Sequence, residues 1–389
     1  MHLRDLTSAV LLLATTACAS APAPSPPPAE APAAAAAPTD QTTPAETTLT
    51  AAAETTPTAT AETTPAAPDV AAWAAFAEAR RGECVGPPGA LTTPLELRRG
   101  ERTYRLEGHR LVELTADADH VLRIGVLSAI KDDREPTLAA VRTLRERLEK
   151  AGVDVLVVNG DLATNLFELQ KVFAALAESP VLVVASIGNT ESCGAFNQAA
   201  EEVFATQRHV INGNWVRRLE LDDGTLVTLP GYYDRRFTHT GGAAHYDAKD
   251  LEVLSDLLLS PAEAPAPVVL ISHGPPRGEA KKAIDVVNDG SHVGDAALTV
   301  VMKDRRTMFG LFGHILESGG RATDSLGKQP KAAGAWHESL IVNAGSANTD
   351  PWTMVEGTTS YGMALRVELE SPPKRPARAR YTVEKLPAP

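Results

Sequence analysis

The chain has 389 residues, 43% of them hydrophobic and 22% charged, with a formal net charge of -12. This is ordinary composition for a globular protein, and an acidic balance without a basic stripe argues against nucleic acid as a partner. Beyond the N-terminus no apolar run is long enough to cross a bilayer.

The first residues read as an export signal. Arg4 gives a thin positive region, residues 6–14 a short apolar core, and Thr15-Thr16-Ala17-Cys18 a small-residue end where a cleavage site belongs. The stretch resembles a bacterial lipoprotein signal, apart from Thr15, where such signals usually carry leucine. The expectation is a signal over residues 1–17, lipidation of Cys18, and export to the cell envelope (periplasm or outer membrane) with the membrane as anchor. An ordinary cleaved signal with an incidental cysteine is the alternative. Residues 18–68 are mostly Ala, Pro, Thr and Glu. They cannot bury enough surface to offset the entropy of ordering them, so a disordered tether is expected.

A lead-in segment, residues 69–118, follows. A short helix over 70–80 presents Trp73 and Phe76, and strands are expected at 103–106 and 111–114. Cys84 and Cys193 are the other two cysteines. In an exported protein they pair or remain as two free thiols.

From residue 119 to the end, strands and helices alternate. Strands are expected at 121–128, 153–158, 180–185, 268–272 and 308–312, and helices at 136–150, 166–176, 196–204, 250–259 and 296–303. Shorter β segments fall at 209–211, 216–221 and 225–229, with Asp223-Gly224 as a hairpin turn. The end is all-β, at 339–342, 363–369 and 378–386. The fold class is α/β, two sheets packed between helices.

Several strand ends finish in residues that bind ligands. The run Val153 to Val158 delivers Asn159-Gly160-Asp161, and the strand at 180–185 delivers Gly188-Asn189-Thr190-Glu191. The strand at 268–272 delivers His273-Gly274-Pro275-Pro276, and that at 308–312 delivers Gly313-His314. In open α/β sheets the carboxyl ends of strands are where ligands bind. One carboxylate, one amide oxygen and two imidazoles suit a borderline divalent metal. Each also has a plainer reading: Asp161 as a helix cap, Asn189 as a turn residue, His273 and His314 as hydrogen-bonded core histidines.

The ordered series Gly-Asp, Gly-Asn, Ser-His-Gly-Pro-Pro, Phe-Gly-His-Ile and Val-Asn-Ala-Gly-Ser resembles the calcineurin-like metallophosphoesterases, from about residue 121 to about 369. The resemblance implies a two-sheet β-sandwich flanked by helices, with a two-metal site at the strand ends. It also exposes departures. Where the family has Asp-x-His on the first strand, this chain has Ala129 and Lys131. Where it has Gly-Asn-His, the histidine that assists the leaving group is Thr190. Where it ends in Gly-His-x-His, the second histidine is Leu316. One family metal thus keeps only Asp161, whereas the other keeps Asp161, Asn189, His273 and His314.

The expectation is one divalent ion (Mn, Zn or Fe) on those four residues. Lys131 either pairs with Asp161 or a phosphate oxygen, or lies on a solvated loop beside Asp132 and Asp133. His292, in Ser291-His292-Val293-Gly294, resembles a family loop near the site and is a candidate to touch phosphate, and Tyr232-Tyr233-Asp234 lines the cleft or packs at its rim. Asp132, Asp133, Glu191 or Glu317 is each a candidate to replace the missing proton donor. Two functions follow: a phosphoester hydrolase of the cell envelope with weak or lost activity, or a non-catalytic relative that binds a phosphorylated ligand or a protein partner.

Overall fold

The computed structural model describes residues 68–85, 88–117, 119–239, 242–259 and 266–388, all within one compact unit. The export signal, Cys18 and the tether lie outside the described residues.

The chain opens with helix α1 (Pro68–Arg80), then three short strands, β1 (Leu95–Arg99), β2 (Arg102–Leu106) and β3 (Arg110–Glu113). A βαβα run follows: β4 (Val121–Leu127), α2 (Glu135–Lys150), β5 (Val155–Asn159), α3 (Leu166–Ala177), β6 (Leu182–Ser186) and α4 (Cys193–Phe204). Next come β7 (Val210–Asn212), β8 (Arg218–Leu221) and β9 (Gly224–Leu229). Then α5 (Ala248–Leu257) leads to β10 (Val268–Ser272), and α6 (Ala296–Asp304) to β11 (Phe309–Phe312). The rest is β12 (Ala322–Thr323), β13 (Leu340–Asn343), β14 (Trp352–Thr353), β15 (Thr359–Ser360), β16 (Met363–Glu370) and β17 (Arg378–Lys385).

These strands build two large sheets and one two-stranded ribbon, β14-β15. The larger runs β1-β2-β3-β8-β9-β10-β11-β13-β12, the smaller β17-β16-β4-β5-β6-β7. Strands β4 to β7 are parallel, as are β9, β10, β11 and β13. The sequence expectation of two sheets between helices is met, and side-chain alternation shows why. In β5, Val155 and Val157 enter the core between the sheets with Val269, Ile271 and Leu311 of the other sheet. The intervening Leu156 and Val158 point outward, under Leu144 of α2 and Phe173 of α3. On the far face Val227 and Leu270 pack beneath Leu254 of α5 and Leu298 of α6. A strand buried on both faces is apolar throughout, which is why these segments read as continuous Val/Leu/Ile runs.

The lead-in is part of this core. Strand β1 is not expected from the sequence, because Leu95-Glu96-Leu97-Arg98-Arg99 carries three charged residues and only two apolar ones. Its burial nonetheless alternates, with Leu95 and Leu97 inward. Through β3, which pairs in parallel with β8, the lead-in extends the larger sheet. Helix α1 lies on α4: Trp73 Nε1 donates to both carboxylate oxygens of Glu201 at 3.1 Å, and Asn197 Nδ2 donates to the carbonyls of Arg81 and Glu83. A disulfide joins Cys84 to Cys193 at the first residue of α4, with Cα atoms 5.6 Å apart. The pairing alternative left open by the sequence is therefore the one adopted.

Candidate metal centre

Because β4, β5 and β6 of one sheet and β10 and β11 of the other all run toward the same edge, their C-terminal loops meet there. Asn159, the last residue of β5, ties the two sheets together at this point. Its Nδ2 donates to Ser272 O at 2.8 Å and Leu311 O at 3.3 Å. Asn343 does the same for the loop after β11, donating to the carbonyls of Gly313 and Ile315 on either side of His314.

The backbone at this edge is unusual. Asp161, His314, Ala129 and Lys131 all have left-handed φ angles, of 59°, 63°, 49° and 73°. For non-glycine residues that conformation costs about 1–2 kcal/mol each. The cost is offset by contacts the loops make: Ala129 N donates to Gly160 O and Lys131 N to Asp161 O, each at 2.9 Å. Gly160, with φ 73°, has no alternative residue. A Cβ there would run into the His273 ring and Gly188 Cα.

The structure brings Asp161, Asn189, His273 and His314 to one point. His273 Nε2 lies 2.9 Å from Asn189 Oδ1, 3.2 Å from Asp161 Oδ1 and 3.2 Å from His314 Nδ1. The other nitrogen of His273 faces Asn159 O at 3.1 Å. A carbonyl only accepts, so Nδ1 carries the proton and, in the neutral ring, Nε2 presents its lone pair. Asn189 Nδ2 donates to Phe237 O, which fixes the amide with Oδ1 inward. Four lone-pair atoms thus converge, and one shared proton cannot satisfy them together. A cation can. Ligands about 2.0–2.2 Å from one ion stand about 3.0–3.5 Å apart, which the observed separations of 2.9–3.2 Å approach. The donor set and its spacing fit a divalent ion.

The ionisable groups at this point act strongly on one another. Burial alone would push the Asp161 carboxyl up, but His273 first and then Lys131 outweigh it and hold the group well below the usual carboxylate range. Burial pulls His273 down, yet the Asp161 charge more than compensates and raises it. His314 is pushed down to about 3, by burial and then by the charge on His273, so its ring stays neutral with a lone pair to give.

On the opposite side of the carboxylate stands Lys131. Its Nζ is 3.0 Å from Asp161 Oδ2, and its side chain is 35% exposed. Of the arrangements left open by the sequence, the geometry is that of pairing with Asp161. Thr190 Oγ1 also donates to Asp161 Oδ1, at 3.1 Å. Ala129 and Leu316 are buried apolar residues with no group to offer a cation.

Several other expectations change. Asp161 caps no helix: α3 starts at Leu166 and its cap is Asn165, whose side chain accepts from Glu168 N. Helix α4 is capped by Ser192, whose side chain accepts from Ala195 N. Glu191 is no proton donor in the cleft. It is fully buried, accepting from Leu162 N and, at 3.1 Å, from Gly188 N, so one carboxylate clamps the loops that carry Asp161 and Asn189. Burial, then the Asp161 charge, push its carboxyl up to about 7. Asp132 is bonded to Arg134 and Asn348. His292 is bonded through Nδ1 to the buried Asp285 at 3.0 Å. Tyr232 is buried and packs on His314 with ring centres 4.0 Å apart and planes tilted by 34°, while Tyr233 donates to Val293 O.

Residues 120–318 match the family model described as calcineurin-like phosphoesterase. No curated protein matches the chain. Similar solved structures include a dimetal phosphatase from Danio rerio (13% identity, TM-score 0.41, 68% of this chain and 98% of that one). A second is a purple acid phosphatase from yellow lupin, Lupinus luteus, seeds (10%, 0.41, 72% and 56%). A third is GAP50, the anchor in the inner membrane complex of Plasmodium (12%, 0.41, 68% and 88%). Likeness at this level bears on neither chemistry nor substrate.

Proposed function

The chain belongs to the calcineurin-like phosphoesterase family, and from that premise we propose that it is a one-metal member that binds phosphoesters or phosphate, with hydrolysis weak or lost. The observation that carries this reading is the ion pair of Lys131 with Asp161 Oδ2, 3.0 Å, on the far side of a carboxylate whose other oxygen faces His273. A carboxylate that bridges two ions in the family's site here has an ion position on one side and an ammonium on the other.

A divalent ion held by Asp161, Asn189, His273 and His314 supplies Lewis acidity toward a phosphate oxygen. The remaining contributions come from the chain. Lys131 balances the second Asp161 oxygen, and its side chain is partly exposed, so that its ammonium can attract a phosphate dianion. An ammonium does not bind water as a second metal does, so it makes no nucleophile. Thr190, at the position of the family's leaving-group histidine, spends its hydroxyl proton on Asp161. Loss of general acid help costs about 10²–10⁴ in rate, before the second ion is counted.

We further propose export and a lipid anchor at Cys18, which places the binding cleft at the cell envelope. The Cys84–Cys193 disulfide supports an oxidising compartment.

The test is isothermal titration of the Mn²⁺-loaded protein with inorganic phosphate, beside turnover of aryl phosphate mono- and diesters. Binding that disappears in His273→Ala, with turnover absent or far below that of two-metal relatives, is the expected result. Vigorous turnover by the unaltered chain would overturn it.

A further inference from the structure

One rim of the cation pocket is a short turn, Arg235–Phe237, and the loop after it. Phe237 is 48% exposed. Of the exposed apolar side chains among the described residues, it is the one whose ring packs against a ring of the candidate metal centre. Its centre is 6.2 Å from that of His314 and 6.3 Å from that of Tyr232, with the planes nearly perpendicular in both cases.

This ring is held in place by the site itself. Asn189 Nδ2 donates to Phe237 O, and His239 N donates back to Asn189 O at 3.0 Å, so the loop is fastened to a candidate ligand from two directions. Asp234 caps the turn through Arg236 N, and Thr238 Oγ1 closes it onto Arg235 O. The Arg236 guanidinium stands 5.9 Å from the ring centre. A half-exposed phenyl group fixed beside a cation pocket is pre-organised to receive an apolar, flat partner.

Resting on the one-metal reading, we infer that Phe237 is a specificity-determining residue that stacks on an aromatic group carried by the ester oxygen, so that the site prefers aryl phosphates. With the phosphate at the cation beside His314, a ring attached directly to the ester oxygen falls within reach of Phe237. In a nucleoside monophosphate the sugar intervenes between phosphate and base.

The test is calorimetric binding to the Mn²⁺-loaded full chain of inorganic phosphate, phenyl phosphate, cyclohexyl phosphate and adenosine monophosphate. Phenyl phosphate should bind about ten-fold tighter than inorganic phosphate, the order that one stacking contact supplies, and tighter than its saturated analogue. Phe237→Ala should remove that advantage and leave inorganic phosphate unchanged, whereas Phe237→Tyr should keep it. Equal affinities for phenyl, cyclohexyl and inorganic phosphate in the unaltered protein would overturn the inference alone. A preference for adenosine monophosphate over phenyl phosphate would overturn the aryl assignment, and so would loss of inorganic phosphate binding in Phe237→Ala. Absence of inorganic phosphate binding by the unaltered protein would overturn the one-metal reading and this inference with it.

Discussion

The two oxygens of Asp161 face different partners: Oδ2 is 3.0 Å from the Lys131 ammonium, and Oδ1 is 3.2 Å from Nε2 of His273, a candidate metal ligand. The carboxylate is almost wholly buried, so neither side can be emptied without leaving charge uncompensated. Lys131 therefore balances a buried charge that the apolar Ala129 and Leu316 have no group to balance.

Changing Lys131 to alanine removes that balance. Phosphate affinity of the metal-loaded protein should fall about ten-fold, as expected for losing one charge-assisted contact, while the remaining cation should bind at least as tightly because Asp161 faces it alone. Phosphate and Mn²⁺ titrations of the variant measure both. Unchanged phosphate affinity would remove Lys131 from the site.

Glu191 tests the loop clamp. In Glu191→Gln the amide oxygen accepts from one of Leu162 N and Gly188 N, and its NH₂ confronts the other donor. Metal affinity should drop about 10–100-fold, the usual effect of altering a group that orients a ligand. Competition with a chelator reads this directly, and a thermal melt of the same sample separates it from global destabilisation.

Rebuilding the missing side offers a gain rather than a loss. Ala129→Asp, Lys131→His and Leu316→His together return the family's residues. Position 129 has φ 49°, a conformation that aspartate tolerates better than most residues. The triple variant should bind a second ion per chain and hydrolyse aryl phosphates faster than the unaltered protein. A correctly folded triple variant with a single ion and no added turnover would count against the assignment of the emptied positions.

Stability should depend on pH through the α1–α4 contact. Burial raises the Glu201 carboxyl to about 7 from 4.5, although its bond from Trp73 opposes the rise. A group whose pKa is raised by folding adds stability that is complete below about 4.5 and is lost as pH climbs through about 7. The unaltered protein should therefore lose melting temperature relative to Glu201→Gln between pH 5 and 8. Parallel profiles for the two proteins would refute this.

The disulfide should also register in stability. Cys84 and Cys193 are 109 residues apart in sequence, and breaking a native crosslink typically costs about 2–5 kcal/mol. Cys84→Ser with Cys193→Ser should melt well below the unaltered protein. Intact mass should rise by about two hydrogens on reduction, and a protein already reduced as isolated would exclude the bond.

The two-sheet fold was legible because strands buried on both faces leave continuous apolar runs, and the strand tips were legible because each ends in a short polar motif. What escaped the sequence depends on distant partners. Glu191 reads as one more loop carboxylate, since its bonds go to backbone N–H groups, one of them 29 residues away. Phe237 is a single apolar residue in a polar loop, and only folding brings it beside His314. The spacing of Cys84 and Cys193 permits either state, and it is the docking of α1 on α4 that brings them together. Strand β1 hid its alternation behind three charged side chains.

The most direct measurement is metal content. Elemental analysis of the purified protein after saturation with Mn²⁺ or Zn²⁺ and removal of the excess should find one ion per chain, and none in His273→Ala. Two ions per chain in the unaltered protein, or none at all, would contradict the account.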